Sequence, residues 1–588
     1  MTDDLTASPT EHSNLLAAAV RGRPWWRDAV MLQVYPRSYA DADGDGVGDL
    51  PGVISKLDYI AALGVDGVWL SPFYRSPMND AGYDVADYRD VDPLFGNLAD
   101  AQALIDGCHA RSIKIVVDLV PNHSSSEHDW FKAAIASPPG SPEWERYILR
   151  RGQGVTGSQP PNDWNSVFHG AAWTQLQGGG SAQDGEPLGW WYLHLFDDTQ
   201  PDFNWQNPQV REEFHAILRY WLDRGVDGFR IDVAHGLVKD ADFPDMGSQR
   251  TTFTAEAWLA PYWDQPGVHE IYRGWRQVLD AYRPDRTLVA EAYVSSPKRL
   301  AAYLRPDELH TAFNFAHLRA EWTAQAQRKV IVDSLHAVAE VGAPSTWVLS
   351  NHDVIRHVTR YSVPQDGTRA APRNGDLELG RRRARAAILL MLSLPGGVYL
   401  YQGEELGLEE VIDLPAACRQ DPVFRRTNGE WLGRDGCRVP IPWSGSEPPF
   451  GFGPGRVQPW LPQPTSWRSL TVEAQAIDPQ SMLRVYRRAL TIRKTAAWAG
   501  DGGLAWRDEL PGATADVLVW ARAADGSAPV VAGDDYLRCA VNAGAVDVAL
   551  ELGTDWELLL GSLPEVTLDV SGLLTLPSDS AAWLIHRG

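Results

Sequence analysis

Eight short apolar runs recur along the chain, each closed by polar residues and followed by a stretch with helical spacing: VMLQVYPRSY, VDGVWLSPFY, IKIVVDLVPNH, VDGFRIDVAHG, RTLVAEAYV, HTAFNFAH, PSTWVLSNHD and GGVYLYQGEE. Strands that alternate with helices predict a parallel sheet, and eight such units close a (β/α)8 TIM barrel, an α/β fold. Their spacing is uneven. Roughly a hundred residues rich in Gly, Pro, Trp and Ser separate the third run from the fourth, too many for a simple crossover, so an inserted subdomain is expected after strand 3. A second irregular segment, about 406–475, follows the eighth run and is placed to wall a site. After the helix-like SMLRVYRRALTIRKTAAW the pattern changes to short alternating stretches such as ADVLVWARA, YLRCAVNA, VDVALEL and AAWLIHR, which predict a small antiparallel β-sandwich. The expected organisation is a barrel built from 1–121 and 201–499, a subdomain over 122–200 and a C-terminal sandwich over 500–588.

Composition narrows the function classes. The chain has 588 residues, 44% hydrophobic and 22% charged, as globular proteins of several domains do. Its 53 basic and 76 acidic residues give a net charge of −23, which opposes binding to nucleic acid or anionic membranes and favours a neutral or cationic ligand. MTDDLTASPTEHSN has no signal-peptide pattern and no segment has the uninterrupted apolar length of a membrane span, so a cytoplasmic protein is expected. The four cysteines are scattered without CxxC spacing, which predicts reduced thiols rather than a zinc site or a disulfide framework. The 25 tryptophans offer flat faces for core packing or for sugar rings.

In a barrel enzyme the active site lies at the C-terminal strand ends, so the polar residues closing each run carry the information. Run three ends in Asp118, Asn122 and His123, run four in Arg230 and Asp232, run five in Glu291, and run seven in Asn351, His352 and Asp353. A cation and several carboxylates at the end of a core are costly to bury unless they are paired and used. Two carboxylates facing one glycosidic bond supply an acid and a nucleophile, and a third can bind sugar hydroxyls.

The set DLVPNH, QPDFNW, GFRIDVAHG, VAEAYV, SNHD and GGVYLYQGEE resembles the α-amylase family of retaining glycoside hydrolases, family 13, and QPDFNW resembles a signature of its oligo-1,6-glucosidase and α-glucosidase branch. The resemblance implies that Asp232 is the nucleophile, Glu291 the general acid/base and Asp353 the transition-state stabiliser. It also implies that Arg230 holds Asp232 ionised, that His123 and His352 bind hydroxyls of the −1 sugar, and that the two reacting carboxyls lie about 5 to 5.5 Å apart. Asp80 and Tyr83, in NDAGYD, match the branch's Asp-x-Gly-Tyr, with Tyr83 stacking on the −1 sugar. GRDGCRVPIPW is similar to the family's GRDxxRTPMQW. An Arg438–Asp80 pair is therefore expected at the pocket floor, blocking extension past the non-reducing end, and Phe168 resembles the aromatic near the +1 sugar.

DADGDGVGDL offers oxygens from Asp41, Asp43, Asp45 and Asp49 and the Val47 carbonyl, hard-cation chemistry suited to Ca²⁺ or Mg²⁺, while its twelfth position is Gly52 rather than the Glu of an EF-hand. The branch carries a similar loop with structural Ca²⁺; no organic cofactor is implied. The expected activity is an exo-acting retaining α-glucosidase on short α-glucosides of the maltose, isomaltose or sucrose class, with transfer to other acceptors open. A sucrose or trehalose isomerase is the alternative, and a non-catalytic carbohydrate-binding or transporter-associated relative a remoter one. Val233 after the nucleophile leans towards α-1,6 linkages, but the AHG that follows departs from the usual VIN.

Overall fold

The computed structural model describes residues 23–176, 189–247, 259–365, 375–524 and 535–587. The N-terminal stretch and part of the expected subdomain, 177–188, lie outside them. All eight runs form strands: β1 (Val30–Val34), β2 (Gly67–Leu70), β3 (Lys114–Leu119), β4 (Gly228–Ile231), β5 (Thr287–Ala290), β6 (Thr311–Ala312), β7 (Thr346–Val348) and β8 (Gly397–Tyr401). Every ladder between them is parallel, in the order β6-β5-β4-β3-β2-β1-β8-β7. The remaining seam is spanned by the Asn314 N–H donating to the Thr346 carbonyl at 3.0 Å.

Alternation along the strands sorts their side chains. One set, including Met31, Trp69, Val116, Val289, Val348 and Tyr399, packs into a buried apolar cluster that plugs the barrel. Two positions further along the same strands come Gln33, Ser71, Asp118, Glu291 and Ser350, all buried. Gln33 donates to the Ser71 hydroxyl at 3.1 Å, so this second layer faces inward as well. A polar floor thus lies on an apolar plug.

The helices follow local rules. Pro208–Asp223 starts at Asn207, whose side chain accepts the Gln209 N–H, and has Pro at its first position. It buries Val210, Phe214, Ile217, Leu218, Trp221 and Leu222, a stripe of helical period, each large side chain contributing about 1.5–3 kcal/mol.

Between β3 and β4, the chain forms a three-stranded antiparallel sheet with Trp190–Leu193 between Leu149–Arg151 and Trp173–Gln175. The C-terminal part forms a five-stranded and a three-stranded antiparallel sheet that share a small apolar core. Trp583 Nε1 donates to the Leu389 carbonyl at 2.9 Å and Arg522 to the Ser393 carbonyl at 3.1 Å, tying this part to the barrel helix Leu377–Ser393. Twelve tryptophans, Trp205 among them, are fully buried, and Trp173 is buried too, so packing explains most of this residue's abundance. The four cysteines are unpaired and three are buried. Among the described residues, no helix is long and apolar enough to cross a membrane.

Candidate active site

Strand register builds one wall of the mouth. Asp118 on β3 is the register partner of Arg230 on β4. Ile231 pairs with Ala290 of β5, which sets Asp232 beside Glu291. The Arg230 guanidinium gathers these side chains: Nη1 lies 2.9 Å from Asp118 Oδ1 and 2.6 Å from Asp232 Oδ1, and Nη2 lies 2.6 Å from Glu291 Oε2. The carboxyls of Asp232 and Glu291 therefore meet on neighbouring nitrogens of a single cation. Val233 holds a left-handed backbone, φ 46°, strained for a β-branched residue, and its N–H donates to Glu291 Oε2 at 3.1 Å.

Three buried carboxyls share one buried cation, and burial raises two of them, Asp232 and Asp118. It pushes Asp232 well above the usual carboxylate range; Arg230 opposes this, while Glu291 and Asp118 add to it. Burial likewise pushes Asp118 up to about 6 against the pull of Arg230. The ion pair expected of Arg230 and Asp232 is present, and Arg230 pulls the Asp232 carboxyl down against burial and its two acidic neighbours.

Asp353, after β7, has the more open position, its side chain 21% exposed. Burial alone would raise its carboxyl, yet His352, Arg434 and Arg438 outweigh that and hold it below the ordinary range. Those three cations and donors hold it as a carboxylate.

His352 and His123 are both buried, which lowers His352 far below the usual imidazole range and His123 to about 4. Gln33 Nε2 lies 2.7 Å from His352 Nδ1, leaving Nε2 3.2 Å from Asp353 Oδ2. Both ring nitrogens of His123 meet protein groups, Nδ1 at 3.2 Å from Asn122 Nδ2 and Nε2 at 3.1 Å from the Tyr83 carbonyl. Tyr83 donates to Asp118 Oδ2 at 3.0 Å, and its ring is parallel to His352 with centroids 5.1 Å apart.

Loops build the opposite wall, and here the sequence reading is corrected. Asp80 pairs with Arg434, Nη2 to Oδ1 at 2.7 Å, not with Arg438. Arg434 also reaches Asp353 Oδ1 at 3.2 Å and Asp421 Oδ2 at 2.5 Å. Arg438 instead donates to the His352 carbonyl at 2.9 Å and to Asp353 Oδ1 at 3.0 Å. The short helical turn Asp435–Cys437 separates the two arginines, and only the earlier one pairs with Asp80. Gln200 Nε2 completes that corner, 3.1 Å from Asp80 Oδ2. Phe168 is buried under the Arg434 guanidinium, 5.0 Å from its ring centroid. Arg434, Asp421 and Gln200 escaped the sequence reading, although Arg434 stands in the quoted GRDGCR and Gln200 opens the quoted QPDFNW. Tyr293, two residues beyond Glu291, escaped it too; its ring stacks on Phe315 at 4.1 Å.

In the acidic loop, oxygens of Asp41, Asp43 and Asp49 lie within 4.8 Å of one another. Asp45 is outside this group, its carboxylate accepting the Val47 N–H at 2.7 Å. Burial pushes Asp41 and Asp49 upward, with backbone N–H groups opposing.

The profile described as "Alpha amylase, catalytic domain" matches residues 33–502, most of the barrel and its insertion. The chain belongs to the α-amylase family. It is 37% identical over 496 residues to a "Probable alpha-glucosidase" of Rhizobium meliloti, covering 80% of this chain and 83% of that one. It is 35% identical over 503 residues to the "Oligo-1,6-glucosidase" of Parageobacillus thermoglucosidasius, covering 80% and 84%. Among solved structures, that of the "alpha-glucosyl transfer enzyme" XgtA superposes with a TM-score of 0.81 at 34% identity, covering 96% of this chain and all of the other.

Proposed function

We propose that this family member is an exo-acting, retaining α-glucosidase whose nucleophile is Asp232, whose acid/base is Glu291 and whose transition-state stabiliser is Asp353. The observation that carries the reading is the Arg230 guanidinium, 2.6 Å from both Asp232 and Glu291. Asp232 attacks the anomeric carbon as the glycosidic bond breaks, and Glu291 gives its proton to the departing oxygen. Glu291 then takes a proton from water, which cleaves the glucosyl ester and returns Asp232 with the α-anomer of glucose. Attack requires Asp232 as the anion and donation requires Glu291 as the acid, and Arg230, a donor to both, compensates the charge of the anion. Asp353, held ionised, sits opposite the charge that develops on the sugar. The Asp80–Arg434 pair closes the far end of the pocket, which supports cleavage from the non-reducing end.

Asp41, Asp43 and Asp49 fit a hard cation: three carboxylates converge and two of them are buried. We assign a structural Ca²⁺ there, Mg²⁺ being the other candidate, where it would brace the turn before the helix Leu50–Ser55. A cytoplasmic setting is supported by four unpaired cysteines. Transfer of glucose to a sugar or alcohol acceptor is the second reading, favoured by the likeness to a glucosyl-transfer enzyme.

Time-resolved proton NMR with maltose, isomaltose, sucrose and trehalose in separate tubes tests the proposal. Initial release of α-glucose is expected. Initial β-glucose would overturn retention, and rearranged disaccharide with little free glucose would make the enzyme an isomerase.

A further inference from the structure

Trp431 breaks the rule that governs tryptophan in this chain. Twelve others are fully buried, whereas Trp431 is 53% exposed and is the one tryptophan among the described residues with so large an apolar surface in solvent. It is nonetheless held in place. Its backbone N–H donates to the Thr427 hydroxyl at 3.1 Å, and its ring lies against His169, with centroids 5.6 Å apart and planes 31° from parallel. His169 is itself pinned: its carbonyl accepts from Arg426 Nη2 at 2.7 Å and Nε at 3.0 Å, and its backbone has φ 71°, left-handed for a residue other than glycine. Strain of this kind gathers at ligand clamps.

The position of the indole is set from two sides. Three residues on, Arg434 binds Asp80 and Asp353, and it covers the ring of Phe168, the neighbour of His169. Phe168 packs on Phe196 at 5.5 Å, and Phe196 on His123 at 5.0 Å. A file of rings therefore climbs from the pocket floor to the surface, and Trp431 is its outermost member.

We propose that Trp431 is a stacking platform for the second ring of the leaving group, one unit beyond the ring that lies beside Phe168. The occupant is a pyranose of a linear α-glucooligosaccharide, presenting its C–H face to the indole. This rests on the glucosidase reading and adds a substrate class to it: trisaccharides and longer chains gain a contact that disaccharides cannot make.

The test compares maltotriose with maltose and isomaltotriose with isomaltose. Trp431→Ala should lower kcat/KM about tenfold for the trisaccharide that is turned over and less than about threefold for its disaccharide, with Trp431→Phe keeping most of the advantage. In the Asp232→Asn background, calorimetry should show trisaccharide affinity weakened about tenfold by the same change. Glucose release with an unchanged trisaccharide-to-disaccharide ratio, or an equal loss on both, would overturn the platform and leave the glucosidase standing. Trp431-dependent trisaccharide binding without any glucose release from the wild type would keep the platform and overturn the glucosidase.

Discussion

The two walls of the pocket were assembled in different ways. Asp118, Arg230, Asp232 and Glu291 come from three adjacent strands whose backbone register leaves one arrangement for their side chains. Asp80 comes from one loop and Asp421, Arg434 and Arg438 from a single segment hundreds of residues further along, and their pairing is decided by how the two pack. A charge carried on a strand has its partners fixed by the sheet, whereas one carried on a loop chooses among several.

The largest effect belongs to the strand wall. Glu291→Gln should lower turnover of maltose or isomaltose by roughly 10³-fold or more, but turnover of an activated aryl α-glucoside by far less, because the aryl oxide leaves without a proton. Steady-state rates on the two substrate types check this. An equal loss on both would place the acid elsewhere.

The loop wall predicts a smaller effect, sharper in what it separates. A double-mutant cycle of Asp80→Ala with Arg434→Ala should show a coupling of about 1–3 kcal/mol in ΔΔG‡ from kcat/KM, and the same cycle with Arg438→Ala less than about 0.5 kcal/mol. The reverse order would restore the pairing first expected from sequence.

What could be read from sequence follows this division. The eight strands were legible because a parallel barrel needs short apolar runs bounded by turns, and Asp232, Glu291 and Asp353 because polar residues that end such runs must share one mouth. The segment 406–475 carries no such constraint: in it, GRDGCR supplies two arginines of equal chemistry four residues apart, and only the turn between them decides which one reaches Asp80. Ionisation was not legible either, because the Asp232 carboxyl is raised by burial, pulled down by Arg230 and raised again by Glu291 and Asp118, which only the fold brings together.

The smallest effect lies just behind the loop wall, where burial raises Glu404 to about 8, with Glu405 adding to the shift. A carboxyl whose folded value exceeds its unfolded one gives stability that is complete below about pH 4.5 and lost as pH rises through about 8. Glu404→Gln should therefore raise the thermal midpoint at pH 8.5 by about 1–3 °C relative to the wild type and have less effect at pH 5, as differential scanning fluorimetry would record.

In the proposed mechanism Asp232 forms the covalent bond to the sugar. A fluorinated α-glucosyl fluoride, which slows the second step, should leave a glucosyl-sized adduct on the intact protein, and peptide mass spectrometry should place it on Asp232. An adduct on Asp353 or Glu291, or full inactivation with no adduct on the peptide that carries Asp232, would contradict the account.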